Sequence, residues 1–274
     1  MRRLIFLFLC PLLVTGCLDQ QKENTAPAVL PSPPPIVYTG NAPIRWPYST
    51  IEGARLTFVA ANTFSGAEIA DFETLAGQWD DSHPDYDFFN YPATEVANKD
   101  TGNLDDYYDG EMGIYKSTTW FNEISSNALG ITQFFAIRRN AGTSSEFLEL
   151  VHVDIIMNYR DYEFDPADPE YSNFDLSSVM LHELGHFLGV GHSSDSNAVM
   201  APTISMGEIR DTLTDDDHGN IQNLYNTGEA QALIGSRSAI RTIESEPEIV
   251  RGIIEYRKDG EEFSYILPFI RDPR

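Results

Sequence analysis

The sequence predicts an α+β fold, a mixed twisted sheet with helices on its faces, and three observations carry that prediction. Residues 65–78 place apolar side chains at Ile69, Phe72, Leu75 and Ala76, with Trp79 just beyond, which is helical spacing. Residues 113–116, 131–138 and 147–158 are enriched in β-branched and aromatic residues, as strands are. After them His182 and His186 stand four residues apart, and Thr214 with Asp217 forms a variant capping box, so two more helices close the domain. Strands gathered together and helices set apart from them fit α+β packing.

The first segment stands outside that fold. Arg2 and Arg3 precede an apolar run, residues 4–13, too short for a permanent membrane span, and the small-residue ending Val14-Thr15-Gly16-Cys17 follows. Residues 1–16 therefore read as an export signal. The ending is similar to a bacterial lipobox, which implies that Cys17 becomes the lipidated N-terminus. Leu18 beside it lacks the aspartate of inner-membrane retention, which implies the outer membrane or cell surface. An ordinary signal peptide cut near the same place, giving a secreted protein, is the alternative. Cys10 leaves with the leader, so Cys17 is the one cysteine of the mature chain and no internal disulfide can form. Residues 17–35 end in Pro31-Ser32-Pro33-Pro34-Pro35 and read as a tether. At ~3.1 Å per residue it reaches roughly 50 Å.

Residues 36–226 form the main domain. Residues 56–60 read as its first strand and 65–78 as its first helix; 87–91, 113–116, 131–138 and 147–158 follow as strands. His152 alternates with Asp154 on the last of these and reads as a polar-face histidine. Residues 227–274 are an extension, in which 249–256 and 262–267 flank Lys258-Asp259-Gly260 and predict a β-hairpin. It could serve as an exosite, as a lid over the cleft or as extra packing, and packing is the default.

The chemistry lies in His182-Glu183-Leu184-Gly185-His186-Phe187-Leu188-Gly189-Val190-Gly191-His192. His182 and His186 share one helical face, where two imidazoles reach one metal ion. Glu183 is about 100° further round, placed to border the metal and take a proton from water. Gly189 lets the chain leave the helix sharply and His192 returns as a third ligand. Three protein ligands leave one tetrahedral position of Zn²⁺ open, as catalytic sites do. One zinc is expected.

Ser193-Ser194-Asp195-Ser196-Asn197-Ala198-Val199-Met200 follows, with a methionine eight residues after the third histidine. Motif and methionine together resemble the metzincin zinc peptidases. Asp175-Leu176-Ser177-Ser178-Val179-Met180-Leu181 and Leu213-Thr214-Asp215-Asp216-Asp217-His218-Gly219-Asn220-Ile221 narrow the resemblance to the matrixins, the matrix-metalloproteinase-like branch, and to its bacterial members. Asn220, where the family has glycine, is a small departure. The resemblance covers about residues 44–226 and is specific from 175 onward. It implies a metzincin-like catalytic domain with an antiparallel edge strand, a zinc helix and a closing helix, and Met200 as a floor under the histidines. It also implies that substrate lies along the edge strand, residues 130–135, as an added antiparallel strand. The thiol-bearing propeptide of animal matrixins is absent, since no cysteine lies between Cys17 and the zinc motif, and no second zinc set is complete.

A formal net charge of −24 excludes nucleic acid and repels anionic lipid, leaving the lipid anchor as the one expected membrane contact. The acidic run 100–111 could hold Ca²⁺, but it lacks EF-hand spacing and a solvated loop is the better reading. The function expected is zinc-dependent endopeptidase action on proteins or peptides by a monomer at the cell envelope. A surface lipoprotein that keeps the fold and a structural zinc for protein binding is the alternative.

Overall fold

The first helix starts where Ser65 allows it to. In the computed structural model, which describes residues 42–165, 173–226 and 249–258 and the backbone of 263–268, α1 spans Gly66–Asp81. The Ser65 hydroxyl accepts from the Glu68 amide and the Glu68 carboxylate accepts from the Ser65 amide, satisfying two otherwise orphaned donors. Its buried stripe is Phe72, Leu75, Ala76 and Trp79. It packs on α2, Leu176–Phe187. The Trp79 indole crosses that contact to donate to the Leu181 carbonyl at 3.0 Å.

The strands are β1 (Ile44–Arg45), β2 (Val59–Ala61), β3 (Thr94–Val96), β4 (Gly113–Ser117), β5 (Ala128–Arg139), β6 (Phe147–Asn158), β7 (Phe164–Asp165), β8 (Phe174–Asp175), β9 (Ile249–Arg257) and β10 (Phe263–Pro268). Among the described residues one sheet runs β10-β9-β5-β6-β4-β2-β3, with β1 pairing β6 beyond that path. Pairing is parallel from β6 through β3 and antiparallel from β6 through β10, so the sheet is mixed as expected. β7 and β8 form a separate short pair leading into α2. The closing helix is α3, Asp215–Leu224, opened by the Thr214 and Asp217 capping box.

Every residue of α2 is buried, so this helix has no solvent face and its polar side chains must be satisfied internally. It lies between α1 and the sheet, against β5, β6 and β9.

Several expectations need correction. The strand read over residues 56–60 shrinks to β2, and residues 87–91 contribute only an isolated bridge between Leu56 and Phe89. Asp80 of α1 takes the Phe88 and Phe89 amides at 2.6 and 3.1 Å, which removes them from a strand ladder. His152 is buried, not on a polar face: its Nε2 stands 2.7 Å from Asp154 Oδ2 and 2.8 Å from the Tyr107 carbonyl. Residues 130–135, read as a free edge, lie inside the sheet, because β9 pairs with β5 along Ala128 to Ile137.

Candidate metal centre

α2 carries His182, Glu183 and His186 into the interior. Gly189 then turns the chain with φ +90°, and a Cβ there would stand 2.2 Å from the Ile44 carbonyl oxygen. Conformation and space both demand glycine at that point. The chain turns back and His192 joins the other two histidines, the three offering ligand atoms within 4.8 Å of one another. It is the one such cluster among the described residues.

The ligand set fits zinc. His182 Nδ1 stands 2.7 Å from the Val199 carbonyl and His186 Nδ1 2.7 Å from the Val190 carbonyl. A carbonyl only accepts, so both Nδ1 atoms carry the proton and both Nε2 atoms present lone pairs. His182 Nε2 is buried without a hydrogen-bond partner, a cost that a metal bond removes. His186 Nε2 and His192 Nε2 face each other at 3.2 Å. Two zinc-bound nitrogens in a tetrahedral site stand about 3.3 Å apart, given Zn–N near 2.05 Å. Burial, and then the neighbouring imidazoles, hold the pKa of both His182 and His186 well below the ordinary histidine value, so both are neutral and competent as ligands.

Glu183 is fully buried beside them. Its Oε2 accepts from the Thr132 hydroxyl of β5 at 2.5 Å, while Oε1 has no hydrogen-bond partner. Burial pushes this carboxyl up to about 8 against the lowering effect of the Thr132 bond. A divalent cation on the three histidines acts in the opposite sense and favours the carboxylate.

Met200 lies under the helix, its Sδ only 2.4 Å from where a Cβ on Gly185 would be, so the small residue at 185 admits the close approach. The methionine is held from two sides. Its carbonyl accepts from the Ser193 amide at 2.7 Å, next to His192. Its amide and that of Val199 both donate at 3.0 Å to the Asp217 carboxylate, which reaches over from α3.

The structure therefore gathers His182, Glu183, His186 and His192, with Met200 beneath. It leaves the acidic run elsewhere, its carboxylates taken by protein donors: Asp100 by Thr118 and Thr119, Asp105 by Arg251, Asp109 by Lys99. Cys17 lies outside the described residues. Sequence reasoning missed three residues, Thr132, Asp217 in its contact with residues 199 and 200, and Tyr256. The Tyr256 ring stacks on His182 with centroids 3.6 Å apart and planes 7° from parallel. Only Asp217 had a local signal, its capping box.

Comparison with known proteins agrees with this geometry. Metalloendoproteinase 2-MMP of Arabidopsis thaliana is 38% identical over 96 residues, 35% of this chain and 25% of that protein. Metalloendoproteinase 1 of Glycine max is 49% identical over 57 residues, 21% and 19% of the two chains. Matrix metalloproteinase-19 of Homo sapiens is 29% identical over 159 residues, 55% and 31%. The chain thus spans a third or less of the length of these relatives. The matrixin model of peptidase family M10 matches residues 54–226, more than half of the chain. By sequence and by the placing of its three histidines, the chain belongs to the matrixin family.

Proposed function

We propose that this protein is a zinc-dependent endopeptidase in which His182, His186 and His192 hold the metal and Glu183 moves the proton. The observation that carries the reading is the carboxylate of Glu183: one oxygen is pinned by Thr132, and the other is buried beside the ligands with no partner. Zinc held there would supply Lewis acidity toward a peptide carbonyl. Glu183 Oε1 accepts a proton from the attacking water as oxygen bonds to the carbonyl carbon. It returns that proton to the amine as the C–N bond breaks, giving a new carboxylate and a new amino end. The relatives that share the motif carry the names metalloendoproteinase and matrix metalloproteinase, which supports the same reading.

The export signal and Cys17 support a lipid-anchored place at the cell envelope, with extracytoplasmic proteins or peptides as substrates. Among the described residues no helix is long and apolar enough to cross a membrane.

Glu183→Gln keeps the side chain's size and every ligand. Elemental analysis is expected to find one zinc per chain in both proteins, while cleavage of a peptide library falls by ~10²–10⁴. Equal cleavage by both, or cleavage by neither when the histidines are reachable from solvent, sinks the proposal and favours a binding role.

A further inference from the structure

The metal site is covered by the chain itself on the side of α2, while His192 stays partly exposed. His182 and Glu183 are 0% exposed and His186 is 1% exposed, although a peptidase must admit a polypeptide to these groups. Over His182 the cover is Tyr256 of β9. Without β9 and its partner β10, β5 would be the outer strand of the sheet and would present unpaired main-chain groups beside Glu183, the arrangement that binds an extended peptide by strand addition. β9 takes that position, antiparallel to β5, with Ile254 opposite Thr132 and Tyr256 opposite Gly130. The same Thr132 holds the Glu183 carboxylate, and a Cβ on Gly130 would stand 2.9 Å from Glu183 Oε1. Tyr256 is thus delivered onto the His182 ring, where it stacks face to face.

The seating is specific. Val250, Ile253, Ile254 and Tyr256 are buried, and Gly252 lies so close to Phe134 of β5 that a Cβ would stand 2.0 Å from its ring. Polar contacts fasten both ends: Arg251 pairs with Asp105, Arg257 donates to the Ser125 hydroxyl at 3.0 Å, and the Lys258 amide donates to the Asn127 carbonyl at 3.2 Å.

We propose that residues 249–257 are a built-in occupant of the peptide-binding edge, and that Tyr256 covers the His182 side of the histidine site until this strand is displaced. The corollary that the intact chain is a latent enzyme rests on the peptidase reading above; the closure of the site does not.

The test uses the full chain, zinc-loaded, in three forms: unaltered, Gly252→Val and Tyr256→Ala. Gly252→Val drives a branched side chain into Phe134 and unseats β9; Tyr256→Ala keeps the strand and removes the cover. Three quantities are read: amide exchange across residues 249–257, zinc loss to dipicolinic acid, and cleavage of a quenched fluorescent peptide library. Both variants are expected to lose zinc to the chelator at least about tenfold faster than the unaltered chain, and Gly252→Val, whose edge is freed, to cleave peptide at least about tenfold faster, while Tyr256→Ala, which keeps the edge occupied, gains little cleavage. Exchange should quicken across residues 249–257 in Gly252→Val, and a synthetic peptide of residues 249–268 added to it should slow cleavage again. Chelator access that is equal in all three forms overturns the proposal; should Gly252→Val fail to fold, equal access in Tyr256→Ala and the unaltered chain overturns it alone. Faster chelator access without cleavage by any form upholds the closure and defeats the peptidase reading. Repeating Glu183→Gln within Gly252→Val links any cleavage gained to this site.

Discussion

Thr132 makes the smallest contact on which the proposed chemistry depends. Its hydroxyl holds one oxygen of Glu183 at 2.5 Å and leaves the other free of protein partners. Thr132→Val keeps the shape and deletes the donor. In an opened chain such as Gly252→Val, it is expected to lower kcat by roughly ten- to a hundredfold with KM little changed, because the base loses its aim and a charged acceptor loses about 1.5–3 kcal/mol of hydrogen bonding. Thr132→Ser should recover most of the loss. Steady-state kinetics with zinc content measured in parallel decide it; a rise in KM alone would assign Thr132 to substrate binding. His182, Glu183 and His186 were legible in the sequence because helical periodicity fixes their places around α2, and His192, beyond the helix, was legible through the glycine turn at Gly189. Thr132 was not, since it meets Glu183 across 51 positions through the register of β5, which no local spacing encodes. Tyr256 was hidden for the same reason.

α3 does more than end the domain. Its Asp217 caps its own helix by accepting from the Thr214 amide at 2.9 Å, and with the same carboxylate it holds the amides of Val199 and Met200. An asparagine there keeps one acceptor oxygen and turns a donor group toward amides that need acceptors. Asp217→Asn should therefore destabilise the fold by about 1–3 kcal/mol and loosen the turn under the histidines. Thermal unfolding and zinc loss to a chelator measure the two effects, and an unchanged midpoint would mean that this bond network carries no net stability. The capping box was readable because it is local. β1, β3, β7 and β8 were not, being two or three residues long and held by their neighbours rather than by any pattern of their own. Residues 87–91 show the converse: aromatic and strand-like in composition, they spend two amides on the Asp80 carboxylate.

The whole molecule joins its C-terminal extension to the sheet of the main domain, which a reading of segments one at a time could not foresee. Two strands flanking Lys258-Asp259-Gly260 were visible; the strand they would pair with was not, because an edge has no mark in sequence until its partner is known. At the other end the proposal of a lipid anchor makes its own prediction. Cys17→Ser should move the protein from the membrane fraction to the soluble fraction and abolish metabolic palmitate labelling. A labelled serine variant, or one that stays with the membrane, would defeat the anchor.

Where the N-terminal segment enters the domain, it meets the end of the ligand-bearing helix. Ile44 presses its carbonyl against Gly189, the Trp46 indole donates to the Phe187 carbonyl at 2.8 Å, and the Tyr225 hydroxyl links the Trp46 amide to the Leu188 carbonyl. These bonds make the entry point a mechanical coupling. The position of residues 44–46 is thereby tied to the turn between His186 and His192, so a displacement at this entry strand is transmitted to the stretch of chain that sets the ligand spacing.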